Sequence, residues 1–369
     1  MHEPPHRILV VAGTRPEAVK LAPVVHALQR EPWAAVRVLA TAQHRQLLDQ
    51  IHAFFGIIPD RDLDLMRPDQ SLADLTARMV AAMDPVLADE RPALVLAQGD
   101  TTTVMVTALC CFYRRIAFGH VEAGLRTGDL NNPFPEELNR VLVGRMAALH
   151  FAPTDGARQN LLREGVAPQA IQVTGNTVID ALLWAAERVD TAPFRPAPGK
   201  RLVLVTAHRR ENFGAPFEQV CAALRQIADR GDVELLYPVH PNPNVRDVAH
   251  RVLGEHPAIR LVDPLDYPMM VAAMRACTLI LTDSGGVQEE APSLGKPVLV
   301  LRTTTERPEG VTAGAAKLVG TDRARIVSEA NRLLDDASAY AAMATVVNPY
   351  GDGRASARIV AQCRAFLRA

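Results

Sequence analysis

Residues 7–28 read RILVVAGTRPEAVKLAPVVHAL, and the order of patterns in this stretch decides the fold. Arg7–Ala12 is a short apolar run closed by Gly13. Behind it Val19, Leu21, Val24, Val25 and Leu28 recur at helical spacing. Strand, glycine turn and helix follow one another without a spacer. The alternation then repeats. Apolar strands are expected at Val36–Thr41, Ala93–Ala97, Arg115–His120, Ala148–Ala152 and Ile171–Thr174. Between them the spacing predicts helices at Arg45–Phe55, Ser71–Ala88, Thr101–Phe112 and Pro135–Met146, with another from Thr154. Strands that are apolar throughout belong to a parallel sheet covered on both faces.

Asp190–Lys200, DTAPFRPAPGK, carries three prolines and no periodicity, which marks a linker. Beyond it the pattern starts afresh, with strands at Leu202–Thr206, Val233–Val239, Ile259–Val262, Thr278–Thr282 and Val298–Leu301. The expected class is α/β with two doubly wound Rossmann-like domains, 1–189 and 201–353, joined by 190–200. A last helix, Arg354–Leu367 within 354–369, has the option of packing back on the first domain.

Composition narrows the class. The chain has 369 residues, too many for one ordinary core. A net charge of −1 without a long basic tract argues against nucleic acid and against a membrane surface as partners. Five scattered cysteines without C-x-x-C spacing suit reduced thiols, and MHEPPHRILVVAG lacks the pattern of a signal peptide. A cytoplasmic location and no metal site are therefore expected.

Polar residues gather where strands end. Gly13-Thr14-Arg15-Pro16-Glu17 stands at the first strand-to-helix turn, where free N–H groups and the helix dipole suit an anion. Pro16 and Glu17 also suit plain capping. The spacing is neither G-x-G-x-x-G nor a P-loop, which disfavours dinucleotide or ATP binding. Asp100, after Gln98-Gly99, is either a ligand contact at a strand's carboxyl end or the N-cap of the next helix. Gly119–Arg140, GHVEAGLRTGDLNNPFPEELNR, packs charges of both signs after a buried strand, as an active-site loop or a solvated one. His208-Arg209-Arg210-Glu211-Asn212 follows the first strand of the second domain and suits a phosphate or a sugar. Asp283-Ser284-Gly285-Gly286 opens a helix after a buried strand, with bare N–H groups able to cradle a diphosphate, or as a capped glycine turn.

Taken in order, GTRPE, QGDTT, HVEAGLRTGDL…PFPEELNR, HRREN, VHPNP, DSGGVQEEAPSLGKPVLVLR…TERPE and NPYGDGRAS resemble the signatures of the non-hydrolysing UDP-N-acetylglucosamine 2-epimerases. The resemblance covers nearly the whole chain. It implies the GT-B architecture, two Rossmann-like domains facing across a cleft, and a homodimer. It implies interconversion of UDP-GlcNAc and UDP-ManNAc through elimination of UDP to 2-acetamidoglucal and re-addition, without a cofactor. By the same resemblance Asp100, Glu122 and Glu136 are the acid/base carboxylates and His208 assists the leaving group. Arg15, Ser284, Gly285, Gly286 and Glu290 hold UDP, with Lys20, Arg140 and Arg307 completing the substrate contacts. Gln43, Gln46, Gln70, Arg209, Glu211 and His240 match a second, activating substrate site. Two departures stand out. Asp69 occupies a position where some members carry Arg, and Asn131-Asn132-Pro133-Phe134 replaces Tyr-Ser-Pro-Trp of many relatives. The alternatives are a sister 2-epimerase of a modified sugar, such as UDP-2,3-diacetamido-2,3-dideoxyglucuronic acid, a hydrolysing epimerase, and a GT-B glycosyltransferase.

Overall fold

The computed structural model describes residues 4–41, 45–67 and 69–368, without the side chains of 45–47. By its contacts the chain forms two compact units, Met1–Ala181 with Gly351–Ala369, and Leu182–Tyr350.

The first unit opens with β1 (His6–Ala12), α1 (Arg15–Gln29), β2 (Ala34–Ala40), α2 (Arg45–Phe55), β3 (Arg61–Asp62) and α3 (Leu72–Glu90). It continues through β4 (Leu94–Gln98), α4 (Thr102–Arg114), β5 (Ala117–Val121), α5 (Glu136–Met146) and β6 (Leu149–Ala152). Then come α6 (Asp155–Arg163), β7 (Ile171–Val173) and α7 (Thr177–Ala186). All strand pairs are parallel, in the order β3-β2-β1-β4-β5-β6-β7. Leu9, Val11, Met79, Met83, Val95, Val104 and Phe118 pack into one buried cluster between the sheet and its helices. Helices cover both faces, which is why these strands read as unbroken apolar runs.

The second unit runs β8 (Arg201–Thr206), α8 (Ala215–Ala228), β9 (Val233–Pro238), α9 (Pro243–Leu253), β10 (Ile259–Val262) and α10 (Tyr267–Ala276). It closes with β11 (Leu279–Thr282), α11 (Gly285–Glu290), β12 (Val298–Val300), α12 (Pro308–Ala313), β13 (Ala316–Leu318), α13 (Arg323–Asp335) and α14 (Ala337–Ala344). Its strands are again all parallel, in the order β10-β9-β8-β11-β12-β13. Val203, Phe217, Leu224, Tyr237, Leu281 and Ile326 form its core. The buried Tyr237 hydroxyl donates to the Ala207 carbonyl at 2.6 Å, so the phenol is not left unpaired.

Two short edge strands, β3 and β13, have no counterpart in the apolar pattern. β3 is two residues long and both are charged, and Lys317 interrupts β13. Edge strands need only backbone pairing, so their side chains carry no signature. The contact units divide at 181/182, inside α7, ahead of Asp190–Lys200. That stretch carries only the single 3-10 turn Ala192–Phe194.

The chain returns to the first unit at Gly351, and α15 (Ala355–Arg368) packs on α1. Asp180 on α7, 7% exposed, receives the start of α15. It accepts from Ala355 N at 3.1 Å, Ser356 N at 2.8 Å and the Ser356 hydroxyl at 2.5 Å. These are amides that no turn of α15 can satisfy. Asp180→Ala should therefore cost about 1–3 kcal/mol locally. Hydrogen exchange of the Ala355 and Ser356 amides reads this out, and unchanged protection there would refute it.

Candidate active site

In an open parallel sheet, ligands bind beyond the carboxyl ends of strands where the strand order reverses. In the first unit that point lies between β1 and β4. The loops leaving β1, β4 and β5 carry Arg15, Asp100 and Glu122. The β1 turn is tight. A Cβ on Gly13 would collide with the Thr41 and Thr103 hydroxyls, so only glycine fits. Glu17, on the first turn of α1, faces inward at 2% exposure. It accepts from Gly13 N at 2.5 Å and Thr14 N at 2.8 Å, and from the Thr101 hydroxyl. Burial lifts its carboxyl to about 7.

Glu122 follows β5 with φ at 65°. A left-handed glutamate costs about 1–2 kcal/mol, and such strain gathers at functional positions. Its Oε2 lies 2.5 Å from Lys20 Nζ, one turn along α1 from Glu17. Asp100 is fixed by Arg140, whose Nε and Nη2 approach its Oδ2 at 2.8 and 2.7 Å. Arg140 also donates to Glu137 Oε2 at 2.9 Å. Thus Arg140, assigned above to substrate, first serves as a brace between two acids. Glu137 is 1% exposed and takes the Thr127 and Gly128 amides, each at 3.0 Å. Its neighbour Glu136 is half-buried at the start of α5 and makes no side-chain hydrogen bond among the described residues. Arg15 is exposed. His120 is buried, with Nε2 2.7 Å from the Gly99 carbonyl. Burial drives its pKa down to about 3, so it is uncharged.

In the second unit the order reverses between β8 and β11. Asp283, fully buried after β11, is the centre of the site. Its Oδ2 accepts from His208 N and Arg209 N, both at 2.8 Å. Its Oδ1 lies 3.5 Å from His208 Nδ1. Burial lowers the His208 pKa, and the Asp283 charge opposes that shift. The His208 ring stacks against His240, with centroids 5.5 Å apart and planes 15° apart. Gly285 opens α11, and a Cβ there would stand 3.9 Å from Arg209 Nη2 and 4.0 Å from Arg307 Cζ. Two guanidinium groups therefore flank the glycine turn. Ser284 is the N-cap of α11, and Gly286 lies beside the Glu290 carboxylate. Arg307 pairs with Glu289. The Tyr350 hydroxyl accepts from Gly310 N at 2.8 Å and donates to the Arg307 carbonyl at 3.0 Å, fixing the start of α12.

The residues matched to a second site are dispersed in their bonding. Gln43 and the side chain of Gln46 lie outside the described residues. Gln70 accepts from Arg78 Nη2 at 2.5 Å and from Arg67 N at 3.3 Å. Asp69 beside it is left-handed, with φ at 52°. Glu211 pairs with the buried Arg302 at 2.6 Å. Arg209 and His240 belong to the cluster around Gly285 and His208. Glu137, Asp283 and Tyr350 are residues the sequence leaves without a role, and the capping expected of Glu17 is present as part of a capping box with Thr14. Only Asp283 had a signal, an acid directly after a buried strand and before Ser-Gly-Gly.

A family model described as UDP-N-acetylglucosamine 2-epimerase matches residues 26–364. A UDP-N-acetylglucosamine 2-epimerase of Escherichia coli strain K12 is 54% identical over 366 residues, covering 96% of this chain and 97% of its own. The UDP-GlcNAc 2-epimerase of Neisseria meningitidis, solved bound to UDP-GlcNAc, matches with a TM-score of 0.87 at 42% identity. The match covers 98% of this chain and 100% of that one. The UDP-GlcNAc 2-epimerase of Methanocaldococcus jannaschii matches with a TM-score of 0.86 at 31% identity, covering 97% and 99%.

The Asp283–His208 contact makes a prediction. Asp283→Asn removes the charge that opposes burial, so the His208 pKa should fall below its wild-type value. An NMR titration of the His208 ring measures it. An unchanged or higher value would show that Asp283 does not act on this histidine.

Proposed function

The chain belongs to the UDP-N-acetylglucosamine 2-epimerase family, and from that premise we propose how its residues perform the reaction. It interconverts UDP-GlcNAc and UDP-ManNAc. The bond from C1 to the UDP oxygen breaks, and UDP leaves with the electron pair. A carboxylate takes the C2 proton as C1 gains cationic character, and the C1=C2 double bond of 2-acetamidoglucal forms. A proton then reaches C2 from the opposite face, and the UDP oxygen adds again to C1.

The C2–H is not acidic by itself, so departure of UDP must be strongly assisted. In the second unit Arg209 and Arg307 flank the Gly285 turn, a setting suited to a diphosphate. Gly285 and Gly286 add backbone N–H groups, Ser284, whose own N–H donates to Thr282 Oγ1 at 2.9 Å, adds its hydroxyl, and Glu290 is placed for a ribose hydroxyl pair. His208, held by Asp283, is assigned to the leaving group. In the first unit Asp100, Glu122 and Glu136 are assigned to proton transfer at C2. The observation that carries this assignment is Glu122, left-handed at the end of β5 and ion-paired to Lys20. Exposed Asp69 is left-handed too; what sets Glu122 apart is that its carboxylate is also fixed by Lys20 from α1. Arg15 and Lys20 complete the cationic set. A homodimer and a cytoplasmic location complete the proposal, and light scattering tests the former. No helix among the described residues is long and apolar enough to cross a membrane.

Incubation with UDP-GlcNAc in deuterated water tests the chemistry. Deuterium at C2 of newly formed UDP-ManNAc is expected in the proton NMR spectrum. Absence of both exchange and product would leave the modified-sugar alternative, and release of free ManNAc with UDP would indicate hydrolysis. Glu122→Gln and Glu136→Gln should each slow turnover by about 100-fold or more while UDP still binds. Near wild-type turnover in both would remove these carboxylates from the mechanism.

A further inference from the structure

We propose that Glu17 is a positioning residue for this reaction, one carboxylate that ties the β1 turn to the β4 turn and thereby sets where Asp100 stands. The proposal rests on the assignment of Asp100 above.

A glutamate three residues into a capped helix needs only to reach the N-cap amide and is ordinarily solvated. Glu17 does more. Its Oε2 takes both the Gly13 and Thr14 amides, and its Oε1 takes the Thr101 hydroxyl from a different element. Thr101 follows Asp100 directly and caps α4 through Val104 N. β1 and β4 are paired neighbours, with Val11 opposite Ala97. The carboxylate therefore spans the switch point just beyond the last paired residues of both strands.

The surroundings give the link little freedom. A Cβ on Gly13 would collide with the Thr41 and Thr103 hydroxyls, so the β1 turn packs closely against the end of β2 and the start of α4. Asp100 is held from its other side by Arg140. Glu17 and Arg140 thus restrain the β4 turn from opposite directions of the chain. The placement is also costly. Burial and the nearby Asp100 charge both favour the protonated form of Glu17. Of the charged groups around this turn, Asp100 faces Glu17 and Arg140 neutralises Asp100. An isolated need for stability is met more cheaply by a neutral side chain. What a carboxylate offers here is a fork that accepts from two turns at once.

Glu17→Ala and Glu17→Gln separate positioning from mere stability. Glutamine keeps one oxygen for the two backbone amides, and the Thr101 hydroxyl can rotate to accept from its amide. Glu17→Ala should lower kcat by about 30-fold or more, as a small misplacement does. UDP affinity should fall far less than kcat, because only Arg15 and Lys20 of the residues assigned to UDP stand on α1 beside the braced turn. Glu17→Gln should recover kcat to within about 5-fold of wild type. Thr101→Val, which cuts the same link from the other end, should lower kcat in the same direction. Wild-type kcat in folded Glu17→Ala would overturn the proposal, and so would Glu17→Gln as impaired as Glu17→Ala. Asp100→Asn is the separate control. If it turns over normally, the assignment of Asp100 fails whatever Glu17 does.

The raised pKa adds a stability check. A carboxyl near 7 in the fold, and at its ordinary 4.5 when unfolded, stabilises below 4.5 and loses that contribution as pH rises through 7. The Tm of Glu17→Gln should therefore gain on wild type between those values. A constant difference would mean that Glu17 is not held buried.

Discussion

A parallel strand buried on both faces can place polar chemistry only at its ends. That constraint organises both units. Each sheet is covered by helices on two sides, so its middle must be apolar. The helix that leaves each strand's carboxyl end presents free N–H groups there. Where strand order reverses, adjacent loops diverge to opposite faces and leave an opening. Glu122, Asp100, His208 and Asp283 all stand at such ends, none in mid-strand. The site is thus a consequence of topology before it is a matter of particular side chains.

Four of the buried acids follow a second regularity. Glu17 accepts from the amides of Gly13 and Thr14, and Glu137 from those of Thr127 and Gly128. Asp283 accepts from His208 and Arg209, and Asp180 from Ala355 and Ser356. In every case two consecutive amides converge on one carboxylate. Hydrogen bonds to a charged acceptor contribute about 1.5–3 kcal/mol each, enough to offset much of the desolvation when two are made. These four acids are framework. Two of them stand beside acids assigned to chemistry, which are more exposed: Glu137 is next to Glu136, and Glu17 bonds the residue after Asp100.

That proximity explains what was legible in the sequence. The order of strands and helices was legible because the apolar runs are long and closed by Gly or polar residues, as at Arg7–Gly13. The strand-end motifs were legible because Gly, Asp and Arg cluster where an apolar run stops. Edge strands β3 and β13 were not, since backbone pairing alone makes them. Glu136 and Glu137 could not be told apart by type. Only the direction each faces from α5 makes one a brace for the Thr127–Gly128 turn and leaves the other open. Asp283 likewise reads as one more acid in a polar motif until the His208 and Arg209 amides are seen to point at it. A division at 181/182 has no compositional mark, because it falls within the apolar helix α7.

In the proposed mechanism the arginines and the histidine of the second unit divide the labour. Arg209 and Arg307 are permanently charged, so a diphosphate bound there as proposed would meet fixed cations at the Gly285 turn. His208 is different. Burial outweighs the Asp283 charge and holds its pKa below the usual histidine value, so near neutral pH the ring is mostly uncharged. A neutral imidazole adds nothing to ground-state attraction of UDP. In the proposed mechanism its ring N–H instead donates a hydrogen bond that strengthens as negative charge develops on the departing oxygen, while Asp283 holds the His208 backbone. Stabilisation that grows only as the bond breaks raises the rate without tightening the bound substrate. On the proposed assignment an arginine in place of His208 would bind the diphosphate and forfeit that distinction, which gives a reason for a histidine at the end of β8 and a buried acid beside it at the end of β11.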